Sequence, residues 1–469
     1  MYKAYITVLT NVRKHPNADR LLLADVFGNT VCVSTEYSEG QLGVYFPTDG
    51  QLSTEFAEKN NLLRKKDDAG NNIGGYMDPD KRNVTAIRLR GEKSDGLFLP
   101  ISCLNYCYAH GDASIELQLG DMIDGVVNGH EICCKYIPRS NSSNRSGQGG
   151  NRTRKKKAPT APLFAEHADT EQLAYNLGAF KAGDEIEITL KMHGTSQRTG
   201  YLPTLKGYKR TLLDRILRRE GTPIYDWGYV SGTRRVVLEN YEGGFYGSNE
   251  FREQHSKVFE GKLNKGETVY YEVVGFTSTG QPIMGDANNK KLNDKEFIKQ
   301  YGEITRFSYG CSPAGTADLY GYEENGKLHL DETEPKQSDI YVYRITMTNE
   351  DGFVVEYTPD FMRYRCEQMG VKTVPALWRG AIPEHPGSKD DPTITAGEWI
   401  KNVAELYYDG PDPVGKTHVR EGVVVRIINR PKFAAYKHKN FNFKCLSGIA
   451  IAEAEANGKN IDESIAAEM

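Results

Sequence analysis

Residues 185–196 read Glu185-Ile186-Glu187-Ile188-Thr189-Leu190-Lys191-Met192-His193-Gly194-Thr195-Ser196. The first six alternate polar with apolar, and Ile186, Ile188 and Leu190 fall on one side, which is the period of a half-buried strand. The strand runs into Lys191, and His193-Gly194 precede a stretch expected to be a polar turn. A lysine leaving a strand into a glycine turn can be held against a bound nucleotide. The K-x-H-G pattern is short, so its weight rests on the ordered segments downstream of it. These begin with Ser231-Gly232-Thr233-Arg234-Arg235, Tyr270-Tyr271-Glu272-Val273-Val274-Gly275 and Tyr341-Val342-Tyr343-Arg344-Ile345. They continue with Arg420-Glu421-Gly422-Val423-Val424-Val425-Arg426 and Tyr436-Lys437-His438-Lys439, leading into Phe443-Lys444. Taken singly, Lys191 reads as a surface lysine, Glu272 and Glu421 as salt-bridge partners, Tyr343 as a core aromatic and Lys437 and Lys439 as a solvated face. The ordered set turns them into a site.

That series resembles motifs I, Ia, III, IIIa, IV and V of the covalent nucleotidyltransferases, the superfamily of polynucleotide ligases and mRNA capping enzymes. The resemblance covers most of residues 163–450 and implies a lysine–AMP phosphoramidate on Lys191. Such chemistry needs an unprotonated amine, whereas a free lysine titrates near ~10.4. Lys437 and Lys439, with a bound metal, would disfavour the charged form of Lys191. The same two lysines would hold the α-phosphate and take up its transition-state charge. Glu421 suits a Mg²⁺ or Mn²⁺ ion with its waters. Glu272 would accept from ribose hydroxyls, Tyr343 would stack on adenine, and Arg234 would fork onto a phosphate. The implied catalytic set is Lys191, Glu421, Lys437 and Lys439, with His193, Gly194, Arg234, Glu272 and Tyr343 completing the nucleotide site.

Three features select among the members. His193 stands where DNA ligases and capping enzymes more often carry Asp, and K-x-H-G is similar to RNA ligases. Only Cys445 to Met469 follow Lys444, too few for the OB domain that those other enzymes place there. The N-terminal segment Lys14-His15-Pro16-Asn17-Ala18-Asp19-Arg20-Leu21 resembles the signature of tRNA-binding-type OB folds. An OB module before the catalytic module looks like the Deinococcus-type ATP-dependent RNA ligases, and Phe164 to Thr170 resembles the start of that family's catalytic domain. Leu190 departs from the Glu that several RNA ligases carry before the nucleophile, which puts one nucleotide contact in doubt.

The expected fold is therefore α+β. Residues 1–135 form an OB-like β-barrel that binds nucleic acid, and 136–162 form a flexible basic linker. Residues 163–469 form a nucleotidyltransferase domain of mixed and antiparallel sheets with flanking helices. The linker reading rests on RSNSSNRSGQGGNRTRKKKAPTAP at 139–162, rich in Ser, Asn, Gly and Pro and ending in Arg152, Arg154, Lys155, Lys156 and Lys157. In the first module, Tyr5 to Leu9, Leu21 to Val26, Val31 to Val33, Leu42 to Phe46, Ile87 to Arg90 and Gly96 to Leu99 read as strands, with turns at Gly28-Asn29 and Glu39-Gly40. Residues 52–83 read as a long loop. In the second, Val269 to Val274, Ile340 to Ile345 and Val419 to Ile427 read as strands. Thr358-Pro359 opens a helix that stops at Gly370. Between motif I and Arg234 lies an insertion carrying Lys206, Lys209, Arg210, Arg215, Arg218 and Arg219, the last three on an expected helix. Its cations read either as contacts for RNA phosphates or as a solvated face.

Composition bounds the alternatives. The 469 residues carry 59 Lys and Arg against 63 Asp and Glu, a net charge of −4, so any basic surface must be local. No apolar run reaches the ~18 residues of a membrane helix, and the N-terminus has no secretory pattern. Eight cysteines then imply a reduced, cytoplasmic setting. Cys103, Cys107, His110, His130, Cys133 and Cys134 have no convincing zinc spacing, and buried apolar cysteines are the expectation. The family resemblance implies an ATP-dependent RNA ligase working in RNA repair. It would act as a monomer on RNA, either nicked duplex RNA or an RNA/DNA hybrid, with ATP and Mg²⁺ or Mn²⁺. The rivals are an RNA-binding protein with an inactive nucleotidyltransferase module and a capping-type guanylyltransferase.

Overall fold

The computed structural model describes residues 2–138, 158–168, 170–217, 219, 221–238, 241–242, 245–313, 319–324, 327–332, 336–387 and 393–456. Most of the expected linker, Asp169 and Arg218 lie outside the described residues. The chain is a mixed α+β protein of many sheets. It divides into two compact units. One comprises Met1–Arg139 with Asn288–Glu303 and Phe441–Glu453; the other comprises Ser140–Ala287, Ile304–Asn440 and Ala454–Met469.

In the first unit a four-stranded antiparallel sheet runs in the order Leu97–Pro100, Leu42–Phe46, Ala4–Val8, Met122–Ile123. A three-stranded sheet follows, Thr10–Lys14, Leu21–Val26 and Asn29–Ser34. The chain passes from one sheet to the other at Leu9, and Asn11, with φ 51°, marks an irregularity in the ladder between Thr10 and Arg13. The tight turn expected at Gly28-Asn29 falls one residue earlier, at Phe27-Gly28, both at positive φ, and Asn29 already pairs with Val26. Among the described residues the ladders do not close into a barrel. The histidine-proline-asparagine segment has a local structural role. His15 is buried and its Nε2 lies 3.1 Å from the Leu89 carbonyl, while Asn17 donates from its backbone to His15 Nδ1 at 3.0 Å. Asn17 Nδ2 also donates to the Arg90 carbonyl at 3.0 Å. Residues 52–83 are not one loop: Ser53 caps a helix at Thr54–Lys59, and Lys65–Lys66 pairs with Asn72–Gly74. Phe56 and Ala57 are fully buried, which anchors that helix where residue-by-residue polarity suggested none.

The second unit is built on two sheets. The first has the order Glu171–Gln172, Ala434–Lys439, Gly422–Ile427, Glu185–Leu190, Ala376–Ala381. Its outer face buries Ile186, Ile188, Val423, Val425 and Ile427 against Leu173, Phe180 and Ile400. Ile400 comes from the helix Ala396–Glu405, which opens with a capping box between Thr395 and Glu398. Each such side chain is worth ~1.5–3 kcal/mol when fully buried. A one-residue slip would drive Glu187 and Thr189 into that core, so the alternation fixes the register.

The second sheet has the order Thr222–Gly232, Thr195–Lys209, Glu267–Gly275, Ser338–Thr348, Val354–Glu356, with Lys372–Thr373 pairing parallel to Ser338–Thr348. The stretch after Gly194 is thus a strand of 15 residues, not a polar turn. Its polar side chains Gln197, Arg198 and Thr199 are buried and hydrogen-bonded, which is why polarity misread it. The helix Pro359–Met369 has Thr358 as cap, Pro at its first turn and Gly370 at φ 69°, as expected. Among the described residues no helix is long and apolar enough to cross a membrane.

Candidate active site

Lys191 occupies the short link by which the chain leaves one sheet and enters the other. The link begins where Leu190 ends its strand, and the Lys191 amide donates to the Gly422 carbonyl at 3.0 Å. Gly194 closes it. Its amide donates to Glu272 Oε1 at 3.1 Å, and a Cβ there would stand 2.3 Å from the Val273 carbonyl oxygen. No other residue fits without moving the link. Gly422 is likewise required, at φ 139° and with the His438 carbonyl 2.1 Å from where a Cβ would be. Arg252, fully buried, braces the far side by donating to Thr195 Oγ1 at 2.6 Å and to the Ser196 carbonyl at 3.3 Å.

Alternation along the first sheet sends one set of residues to its core and the other to a cleft. The cleft is partly open to solvent and lies beside the link that carries Lys191. Its lining includes Glu187, Thr189, Lys191, Arg234, Glu272 and Tyr343, with Val424, Arg426, Phe433 and Ala435. Lys437 and Lys439 fall on the strand face of Ala435, while Tyr436 and His438 alternate away from it. Tyr436 packs on Phe180, and His438 stacks on Tyr408.

The charged groups converge on Glu421, which is 3% exposed. Its Oε1 lies 2.8 Å from Lys191 Nζ and 3.6 Å from Lys439 Nζ, and its Oε2 lies 3.7 Å from His193 Nδ1. Burial pushes the carboxyl up, but Lys191, Lys439 and His193 outweigh it and hold the group down at about 2. Glu272 goes the other way. Burial, with Glu421 adding to it against the pull of Lys191, raises it to about 7. His193 is held neutral by burial, lowered to about 3, and its ring sits edge-on to Phe307 at 4.6 Å. The His193 amide donates to the Tyr309 hydroxyl at 2.8 Å. The Tyr343 hydroxyl shares a hydrogen bond with Ser196 Oγ at 2.8 Å.

The structure therefore gathers Lys191, His193 and Lys439 around Glu421, sets Glu272, Tyr343 and Arg234 in the lining of the cleft beside Lys191, and ties Gly194 to Glu272. Lys444 belongs to the first unit, where its Nζ lies 2.6 Å from Asp95. Several residues in or beside the cleft were given no role by the sequence, although Arg344 and Arg426 lie within the ordered segments. Arg344 is paired with Glu356, lies 4.6 Å over the Phe433 ring and reaches His167 Nδ1 at 3.3 Å. Arg426 lies 5.1 Å from the centre of the same Phe433 ring. Glu187 is held by Arg363 at 2.8 Å. The two-residue alternation of Glu185–Leu190 and Gly422–Ile427 would have found Glu187, Thr189 and Arg426; nothing local marks Phe433 or Glu356.

A divalent cation is compatible with this chemistry. Glu421 Oε2 is a hard oxygen, buried with no hydrogen-bond partner among the described residues and 3.7 Å from His193 Nδ1. Among the described residues no group of three or more His, Cys, Asp or Glu converges as a cage. That donor set suits an ion that keeps its waters and shares a substrate's phosphates. It also leaves the cysteines and histidines of residues 103–134 without a described metal cluster; Cys103, Cys107 and Cys133 are buried free thiols.

No family model matches the chain, and no curated protein matches it in sequence. Among solved structures it is similar to Naegleria gruberi RNA ligase. A mutant of that enzyme with ATP and Mn is 18% identical, with 94% of this chain and 98% of that chain covered and a TM-score of 0.52. A second mutant with ATP and Mn gives 17% identity, the same coverage and 0.51. An apo mutant gives 18%, 94% and 97% coverage, and 0.51. The likeness is one of fold: over nearly its whole length this chain has the fold of an RNA ligase.

Proposed function

We propose that this chain is an ATP-dependent RNA ligase that joins a 3′-hydroxyl to a 5′-phosphate. The observation that carries the reading is Lys191 at the edge of the cleft with its Nζ 2.8 Å from buried Glu421, and Lys439 on the same carboxylate. The ligase fold, found in proteins solved with ATP and Mn, supports it. In the first step the Lys191 amine bonds to the α-phosphorus of ATP and pyrophosphate leaves. The AMP then passes to the RNA 5′-phosphate, and the 3′-hydroxyl displaces it. Lys437 and Lys439 hold the α-phosphate and stabilise its developing charge. Glu272 and Gly194 face the ribose, Tyr343 stacks on the base, Arg234 takes a phosphate, and His193 fixes the link through its amide and ring. Glu421 would hold Mg²⁺ or Mn²⁺, whose role is to screen phosphate charge and orient the leaving pyrophosphate. Residues 1–135 serve as an OB-fold-like module that holds nucleic acid, 136–162 as a basic tether and 163–469 as the adenylyltransferase, the order of the Deinococcus-type ligases.

The test is label transfer. The protein is incubated with α-labelled ATP or GTP and Mg²⁺ or Mn²⁺, then run on a denaturing gel beside Lys191→Ala. Label from ATP on the wild type alone is the expected result. Label from GTP alone would move the reading to capping. No label from either, on folded protein free of pre-bound AMP, would refute it in favour of an RNA-binding protein.

A further inference from the structure

The two strands Thr195–Lys209 and Thr222–Gly232 pair from Arg198↔Gly232 to Lys209↔Thr222. Their sheet neighbour Glu267–Gly275 pairs only with Thr195 to Gly200. Residues 201–229 therefore leave the sheet as a two-stranded arm, which runs about 27 Å from Tyr201 to Lys209 at roughly 3.3 Å per residue. Both roots of the arm are at the cleft. One strand starts directly after Gly194, and the other ends two residues before Arg234.

Three features of the arm stand apart from the nucleotide chemistry. Tyr201 and Tyr229 stack at 4.7 Å, Trp227 lies 5.9 Å from Tyr201, and Lys265 Nζ lies 5.2 Å over the Trp227 ring. All three rings are half-exposed. Further out, Lys206, Lys209, Arg210, Arg215 and Arg219 are exposed. Residues 201–229 hold six Lys and Arg against three Asp and Glu, in a chain that is net negative. At the tip the helix Leu212–Ile216, capped by Thr211 and Asp214, exposes Leu212 (78%), Leu213 (68%) and Ile216 (71%).

We propose that this arm is a single-stranded-RNA-binding element, with its cations on the phosphates, its aromatic ladder under the bases, and its apolar tip wedged against unstacked bases. The proposal rests on the ligase reading for its substrate: the arm would track the strand leading to the ends being joined. Positive charge together with half-exposed rings is what a polyanion with π faces requires, and each stacked base contributes ~1–3 kcal/mol. Leu and Ile are also the residues that nucleic-acid binders insert at base steps. A lipid surface explains less. A five-residue helix offers about one apolar turn to a bilayer interface, and the rings of Tyr201, Tyr229 and Trp227 lie on the ribbon strands, away from that turn.

The test uses the full chain and the variant Lys206→Ala/Lys209→Ala/Arg210→Ala/Arg215→Ala/Arg219→Ala. Three readouts are compared: self-labelling with α-labelled ATP, anisotropy of a fluorescein-labelled single-stranded RNA against salt, and sedimentation with phosphatidylserine vesicles. Self-labelling should stay within about twofold, since the substitutions lie outside the nucleotide site. RNA affinity should fall at least about tenfold at low salt, and the slope of log K against log salt should shrink by about 3. Unchanged affinity and slope would overturn the proposal, as would loss of vesicle binding with RNA binding intact. If the fivefold variant misfolds, the smaller Arg215→Ala/Arg219→Ala variant decides the question, again through loss of RNA affinity with labelling kept. Wild-type protein that takes no label, while the variant still loses RNA affinity, would sink the ligase reading and keep the arm.

Discussion

Replacing Gly194 with Ala tests whether the link between the sheets is as tightly fitted as the geometry says. The added methyl would sit 2.3 Å from the Val273 carbonyl oxygen, 2.9 Å from Val274 Cγ1 and 3.0 Å from Glu272 Cγ. An ordinary contact begins near 3.4 Å, so the link must move by about 1 Å. The obstructing oxygen is backbone in a central strand and cannot swing away as a side-chain tip would. Overpacking of this kind costs about 1–3 kcal/mol. The larger effect is on chemistry. The shift pulls the Gly194 amide off Glu272 and displaces Lys191, three residues before it, and a misplacement of about 1 Å lowers a rate roughly 100-fold. The assay is single-turnover labelling with α-labelled ATP at saturating nucleotide, beside thermal unfolding. The expected result is a rate about 100-fold down with a melting temperature lower by roughly 2–10 °C. A variant that labels within about threefold of wild type and melts unchanged would refute the tight fit and its link to the rate.

Arg365 forms a two-pronged pair with Glu267, Nε to Oε1 at 2.9 Å and Nη2 to Oε2 at 2.7 Å, and Glu267 is 0% exposed. Arg365→Ala strands that carboxylate and should cost about 3–5 kcal/mol in urea unfolding, with part recovered by adding Glu267→Gln; a loss under about 1 kcal/mol would contradict the pairing. His255 is lowered to about 4 by burial, with Arg252 acting in the same direction against Asp339. Its folded pKa lies below its unfolded one, near ~6.5, so the unfolded chain takes the proton first and this contribution is lost as pH falls from about 6.5 toward about 4. His255→Gln should flatten the fall in the urea midpoint across that window relative to wild type; parallel curves for the two proteins would count against the buried neutral imidazole.

Which elements were legible in the sequence depends on how each signal arises. The strand Glu185–Leu190 and the helix from Pro359 to Met369 were legible to the residue, because alternation and capping are local. Leu21–Val26 and Leu42–Phe46 were equally plain. The strand Thr195–Lys209 was hidden because its buried face is polar: Gln197, Arg198 and Thr199 are satisfied by partners from Arg252, Ala165 and Tyr271 that lie far away in sequence. The expected helix of the insertion is present in part, as Leu212–Ile216, while the residues on either side of it form a two-stranded ribbon that had not been expected. Arg215 is in that helix, while Arg219 lies beyond it and Arg218 lies outside the described residues. In the site, ordered motifs pointed to the residues that touch Glu421 and ran through Arg344, but not to its partner Glu356 or to Phe433. Those act through cross-strand contacts that have no spacing to read.

The two carboxylates beside Lys191 respond oppositely to the same burial. Burial raises both, yet only Glu421 has ammonium groups within 3.6 Å to offset it. Glu272 gains a single amide from Gly194 and stays near about 7. At neutral pH Glu421 is a firm anion shared by Lys191 and Lys439, and Glu272 is divided between its two forms. A phosphate arriving at Lys439 would compete with Glu421 for the same cation. That exchange would take Lys439 from Glu421 while the 2.8 Å contact of Glu421 with Lys191 remains. On the ligase reading, the ion pair that holds Lys191 in place is a second contact, which the chemistry at Lys191 would have to break.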